Sequence, residues 1–177
     1  MCIRDRDTIV SGSRDGSAIV YTLRAGQYIR SLLQPSGHGV ELVALSGSGQ
    51  VLLYSPTDHS LHSFTINHRH AQPPLAMVCT EERLSALTFN ASGKLVLTAG
   101  EQGCVVLRQP HDLSLVHRLV VGSGASPSPL RSLALTPDEQ FVLAGTHKGT
   151  LLIWGLATKV IARNILETLD RTLGLAF

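Results

Sequence analysis

Histidine is the residue type best placed for metal chemistry in this sequence: eight occur, and His59, His62, His68 and His70 stand close together. Neutral imidazoles are common zinc ligands. However, His59 and His62 are three apart in a run that reads as a strand, which sends them to opposite faces. No cysteine or carboxylate pair is spaced to complete a tetrahedron. Turn and surface histidines are therefore expected, with neither metal nor other cofactor. Ser46, Ser48 and the GSGAS run at 122–126 could expose a hydroxyl, but neither is a GxSxG elbow between a strand and a helix. No GxxxxGK[ST] or GxGxxG opens a helix to cradle a phosphate. Cys2, Cys79 and Cys104 are widely spaced without a CxxC, which fits a reducing, cytosolic compartment. Cys104, on the strand after a turn, reads as a small core hydrophobe. The chain is not expected to be an enzyme.

What remains is binding by polar turns, at Arg14 and Asp15, Asp58 and His59, Glu101 and Gln102, and His147 and Lys148. Functional residues concentrate on loops held by a rigid scaffold. The elements that hold these turns repeat. Segments 8–23 (TIVSGSRDGSAIVYTL), 51–66 (VLLYSPTDHSLHSFTI), 95–110 (LVLTAGEQGCVVLRQP) and 141–156 (FVLAGTHKGTLLIWGL) each read as an apolar strand, a polar turn and a second alternating strand. Asp15, Asp58, Gln102 and Lys148 align, giving periods of 43, 44 and 46 residues. Four-stranded propeller blades take about 40–45 residues.

Shorter alternating runs at 40–50, 84–94 and 130–140 precede three of the hairpins and read as innermost strands. Runs at 27–33, 114–120 and 159–165 read as outer strands. Period-2 alternation and β-branched residues favour strand throughout. The stretch 158–170 also admits a helical spacing of apolar residues. The fold class expected is all-β, a partial propeller of about four blades with four-stranded antiparallel sheets.

The opening MCIRDR (1–6) resembles an adapter-derived lead and is set aside as non-native. Residues 7–34 are then a partial blade, 35–79, 80–124 and 125–167 are blades, and 168–177 are a candidate inner strand of a following blade. An open arc leaves strand edges bare, so poor solubility is expected of the chain by itself.

With 44% hydrophobic and 16% charged residues the chain has the make-up of a packed globular protein. Its net charge of +2 is scattered, with no basic stripe for a phosphate backbone, so nucleic acid is not an expected partner. No apolar run nears the roughly 20 residues that cross a bilayer as a helix, and the N-terminus lacks the apolar region of a secretory signal.

The hairpins resemble the WD-repeat pattern: a Gly-His pair before the inner strand, a Ser in the second strand, an Asp in the tight turn and Trp-Asp closing the third. Six residues past each turn position stand Tyr21, Phe64, Arg108 and Trp154, three of them aromatic. His38, Ser55 and Asp58 fall at the His, Ser and Asp places of the second blade. The resemblance implies that they form a hydrogen-bonded network under the blade's aromatic residue, with Asp15 in the matching place of the first blade. No blade carries the Trp-Asp dipeptide, Arg108 replaces an aromatic, and Gln102 and Lys148 replace the Asp.

The strings IVSGSRDG (9–16), GCVVLRQPHDLSLVHRL (103–119) and LRSLALTPDEQFVLAG (130–145) are similar to the C-terminal WD-repeat propeller of BEACH-domain proteins, the neurobeachin and beige-like anchor group. That resemblance implies a large cytoplasmic protein with a BEACH domain upstream, acting in vesicle traffic and membrane-protein sorting. Its partners would be proteins, and it would reach endomembranes peripherally, through the parent protein. The turn residues Arg14, His59, Glu101, Gln102, His147 and Lys148 are the expected contacts. The alternatives are a WD-repeat scaffold subunit of another cytoplasmic or nuclear complex, and an enzyme-type propeller with converging carboxylates and a bound calcium.

Overall fold

A computed structural model describes residues 2–5, 7–33, 36–66, 73–120, 128–158 and 161–166, the side chains of 2–5 and 161–166 excepted. All regular structure among them is β. The first sheet comprises β1 (Cys2–Asp5), β2 (Thr8–Gly12), β3 (Ser17–Thr22) and β4 (Tyr28–Leu33). The second comprises β5 (Leu42–Leu45), β6 (Gln50–Ser55), β7 (Ser60–Thr65) and β8 (Ala76–Cys79). The third runs β9 (Leu84–Phe89), β10 (Val96–Gly100), β11 (Cys104–Arg108) and β12 (Leu115–Val120). The fourth is β13 (Leu130–Leu135), β14 (Phe141–Thr146), β15 (Thr150–Gly155) and β16 (Ile161–Leu166).

Each sheet is a four-stranded antiparallel meander in chain order. The innermost strands β1, β5, β9 and β13 pack successively on one another, so the four blades form an open arc. The fold is the partial β-propeller that the repeat predicts. Ile161–Leu166 pairs with β15 as a strand, which decides between the two readings of that stretch. The proposed inner strand at 168–177 lies outside the described residues.

Within the opening that the sequence reading set aside, Cys2–Asp5 forms a strand. Cys2–Asp5 pairs with β2, with Ile3 opposite Val10 and Arg4 opposite Ile9, and completes the first sheet. Backbone pairing depends little on side-chain identity, and β2 would otherwise be a bare edge.

The cores lie in the seams between sheets. Val10, Val20 and Leu32 of the first blade meet Val51, Leu53 and Phe64 of the second. Tyr54, Leu61, Leu84, Leu87 and Val96 fill the second seam, where the Leu84 N–H donates to the Tyr54 hydroxyl at 3.0 Å. Leu97, Leu107, Leu119, Leu133 and Trp154 fill the third. Sheets covered on both faces need apolar residues at every position, not alternate ones. That accounts for the wholly buried β10, Val96–Gly100.

Candidate functional site

The turns between second and third strands gather at one end of the arc. Their last residue has a positive φ: Gly16 at 85°, Gly103 at 71°, Gly149 at 80°, and in the second blade His59 at 55°. A non-glycine residue seldom adopts this left-handed region, so His59 is a turn former here, half-buried in place of the glycine its sister turns use. Arg14, Glu101, Gln102, His147 and Lys148 are exposed at the tips of their turns.

Each blade secures its turn differently. In the second, His38 Nδ1 lies 3.1 Å from Asp58 Oδ2. Asp58 Oδ1 accepts from the Ser60 N–H at 3.1 Å and the Ser60 hydroxyl at 2.6 Å. Burial works against the charge of Asp58, but hydrogen bonds from Ser60, His38 and Ser36 outweigh it and hold the carboxyl well below the usual range.

Two features of the expected network are corrected. Ser55 accepts from the Thr57 N–H at 3.4 Å, and the serine holding Asp58 is Ser60. The His38 and Asp58 side chains are 44% and 28% exposed, so the pair works at the surface and not under an aromatic plug. The Asp-x-Ser spacing was the overlooked signal. It recurs at Asp15 and Ser17, where the hydroxyl donates at 2.6 Å, and at Asp112 and Ser114, at 2.8 Å. A short carboxylate side chain accepting from the backbone two residues on is an Asx-turn.

The third turn has no aspartate and recruits Glu82 from the preceding linker. The Gln102 N–H donates to Glu82 Oε2, and the Glu82 side chain occupies the space a side chain at Gly100 would need. A Cβ there would lie 2.6 Å from both Glu82 Cδ and the Arg83 carbonyl oxygen. In the fourth turn, Thr146 Oγ1 accepts from the Thr150 N–H at 3.0 Å, and the His147 N–H donates to the Pro129 carbonyl at 2.8 Å.

The aromatic places are filled as expected in two blades. Phe64 and Trp154 are buried. Tyr21, at the same place in the first blade, is 36% exposed and meets Tyr28 edge-on at 6.1 Å. Phe64 and Trp154 face the sheet before their own, whereas among the described residues no sheet precedes the one that holds Tyr21. His62 departs from the sequence reading, which held it to be a surface histidine. It is 1% exposed, and neither ring nitrogen has a hydrogen-bond partner. It stands three residues past the positive-φ turn residue, the register that Ile19, Val106 and Leu152 occupy in the other blades. His68 and His70 lie outside the described residues. Cys104 is buried as expected, with Arg118 Nη2 at 3.3 Å from its Sγ.

Of the predicted contact residues, Arg14 reaches a recess. A cleft of about 410 Å³ is lined by Arg14, Gly39, Val40, Glu41, Pro56, Thr57 and Arg83, so it spans the first three blades. Arg83 Nη2 bridges both Glu41 carboxylate oxygens at 3.1 and 3.0 Å, tying the second blade to the third beside it. His59, Glu101, Gln102, His147 and Lys148 do not line it. Glu41 and Arg83 were not legible as site residues, because each stands at an inner-strand entrance with no motif around it. Among the described residues no group of three or more His, Cys, Asp or Glu side chains could hold a metal ion.

A family model described as the neurobeachin beta propeller domain matches residues 1–164. BEACH domain-containing protein B of Arabidopsis thaliana is 39% identical over 152 residues, covering 86% of this chain and 6% of that protein. BEACH domain-containing protein lvsE of Dictyostelium discoideum is 27% identical over 160 residues, covering 83% of this chain and 7% of that protein. Protein ROOT INITIATION DEFECTIVE 3 of Arabidopsis thaliana is 24% identical over 149 residues. The chain thus corresponds to a small part of the length of the BEACH relatives it matches. With four meander blades, the aromatic places at Phe64 and Trp154 and a family match over nearly its whole length, the chain belongs to the neurobeachin β-propeller family.

Proposed function

We propose that these blades are a protein-interaction platform of a BEACH-type parent that acts in vesicle traffic and membrane-protein sorting, on the cytoplasmic side of endomembranes. The observation that carries the reading is the cleft spanning three blades, with Arg14 and Arg83 at its edges and a sheet scaffold beneath it. Mixed polar and apolar lining on rigid elements suits a peptide loop, because the platform itself loses little conformational entropy on binding. The chemistry is that of recognition, not catalysis. A BEACH domain upstream and peripheral membrane contact through the parent are part of the same reading, which the similarity to BEACH domain-containing proteins supports.

The test is the pair Arg14→Glu and Arg83→Glu, introduced into the full-length parent. The expected result is loss of captured protein partners and missorting of membrane cargo, with unchanged circular dichroism of the isolated blades. Normal partner recovery and normal cargo distribution overturn the reading.

A further inference from the structure

The second seam differs from its neighbours in what fills it. Phe64 and Trp154 close the first and third seams, and in the third blade the same register position carries Arg108. A guanidinium on a flexible stem does not occupy the volume of an aromatic ring. A hollow of about 60 Å³ lies beside it, lined among others by Thr80, Glu82, Thr98, Val106, Leu115 and Arg118. Liquid water takes about 30 Å³ per molecule, so the hollow has room for a group of carboxylate size.

Two arginines, Arg108 and Arg118, and two glutamates, Glu81 and Glu82, line the hollow, and they are not paired one to one. Arg108 Nη1 donates to the Leu113 carbonyl at 3.0 Å, while its Nε is buried without a partner. Burial opposes its charge, and Glu81 acts in the other direction. Glu81 is already engaged, because Arg118 Nη1 donates to its Oε2 at 2.8 Å. Glu82 is committed to the Gln102 N–H. Arg108 is thus a sheltered cation with no carboxylate hydrogen-bonded to it. Such a charge is costly unless paired, and a guanidinium pairs best with a carboxylate, two parallel N–H donors meeting two oxygens.

We propose that the hollow beside Arg108 is a second binding site, which receives the carboxylate of a Glu or Asp side chain from an extended peptide partner. Leu115, 60% exposed at its edge, takes the apolar residue next to that carboxylate. The site shares no lining residue with the cleft over the turns and stands independently of it.

The test uses the 177-residue chain and a blocked peptide, acetyl-Gly-Leu-Glu-Leu-Gly-amide, with its Gln counterpart as the control. The side-chain Nε–H resonance of Arg108 should move on titration, with the Glu peptide binding at least about tenfold more tightly than the Gln peptide. Arg108→Phe, which places at this register the aromatic its neighbours carry, should erase that preference and keep the thermal midpoint. Arg108→Gln, nearer in size and without the charge, should erase it as well. Equal affinity for the two peptides, a preference that survives either substitution, or no binding at millimolar peptide overturns the proposal. So does acetate that moves the resonance and competes as well as the peptide, since the hollow is then a pocket for free anions.

Discussion

The second and third blades share strand order, turn position and register, yet they are secured by different chemistry. The second has Phe64 in its leading seam and His38, Asp58 and Ser60 at its turn; the third has Arg108 and a borrowed Glu82. Both fold as the same meander. Strand alternation and a turn residue with positive φ are therefore sufficient to specify a blade, and the polar fittings can be exchanged. What the exchange changes is the seam: an aromatic ring seals it, and an arginine leaves a hollow with a charge beside it.

The largest effect expected from breaking this comparison is at the two filler positions. Phe64→Ala removes a buried ring and should cost about 3–5 kcal/mol. Arg108→Ala loses one hydrogen bond and some stem packing but also relieves a sheltered charge, and should cost about 1 kcal/mol or less. Urea unfolding of both variants checks the ratio. Equal losses would mean that Arg108 seals its seam as well as Phe64 does.

Next is His62, a buried polar ring in a register that is aliphatic in the other three blades. His62→Leu should raise stability by about 1–3 kcal/mol, because it removes polar groups left without partners. The pH dependence gives the sharper reading. Burial lowers the imidazole's folded-state affinity for protons, and Asp58 acts weakly the other way. The unfolded chain, with a histidine pKa of about 6.5, then binds more protons than the folded one below that pH. Stability should fall as pH drops below about 6.5, at up to roughly 1.4 kcal/mol per pH unit for one proton. Thermal midpoints from pH 7.5 to 5 should show this slope in the parent chain and a smaller one in His62→Leu. A slope of the same size in both places the titration elsewhere.

His62 also shows where sequence reading stops. The repeat period, the turn positions and the outer and inner strands were legible because alternation and turn residues are local signals. Whether a strand position faces a neighbouring blade or solvent depends on which sheet lies beside it, and that is not local. Hence three aromatics at one register differ in cover, Tyr21 being 36% exposed where Phe64 and Trp154 are buried, while His62 was expected at the surface and is buried. Glu82 was invisible for a related reason. It serves the third turn from a linker twenty residues earlier in the chain, at a spacing no motif describes. The pairing of His38 with Asp58 was legible through the resemblance to the WD-repeat pattern, which puts a His and an Asp at these places of one blade.

A smaller effect is expected at the turn of the second blade. Asp58→Ala removes the acceptor that holds the Ser60 N–H and hydroxyl, and should cost on the order of 1 kcal/mol at neutral pH. Because the folded-state carboxyl lies below its unfolded value of 3.8, this contribution is present above pH 4 and fades as acid protonates the group in the folded state. This loss begins near pH 4, whereas that at His62 begins near pH 6.5. At the third turn, Gln102→Asp should reproduce only part of the arrangement, since the residue two positions on is Cys104, which has no hydroxyl to donate.

The smallest effect belongs to Tyr21, and it sharpens the comparison most directly. Tyr21 and Phe64 occupy one register position in successive blades, and the difference between them is the presence of a sheet on the leading face. Tyr21→Ser in the 177-residue chain should therefore change stability by no more than about 0.5 kcal/mol, the usual range for exposed positions. The same substitution in a longer chain bearing a blade ahead of this one should cost several times more, approaching the Phe64 value as the ring becomes covered. Chemical unfolding of the two pairs of proteins measures both. If Tyr21→Ser is as costly in the short chain as in the long one, register and not coverage decides what an aromatic at this place contributes. The exposed edge-on contact with Tyr28 would then have to account for the difference.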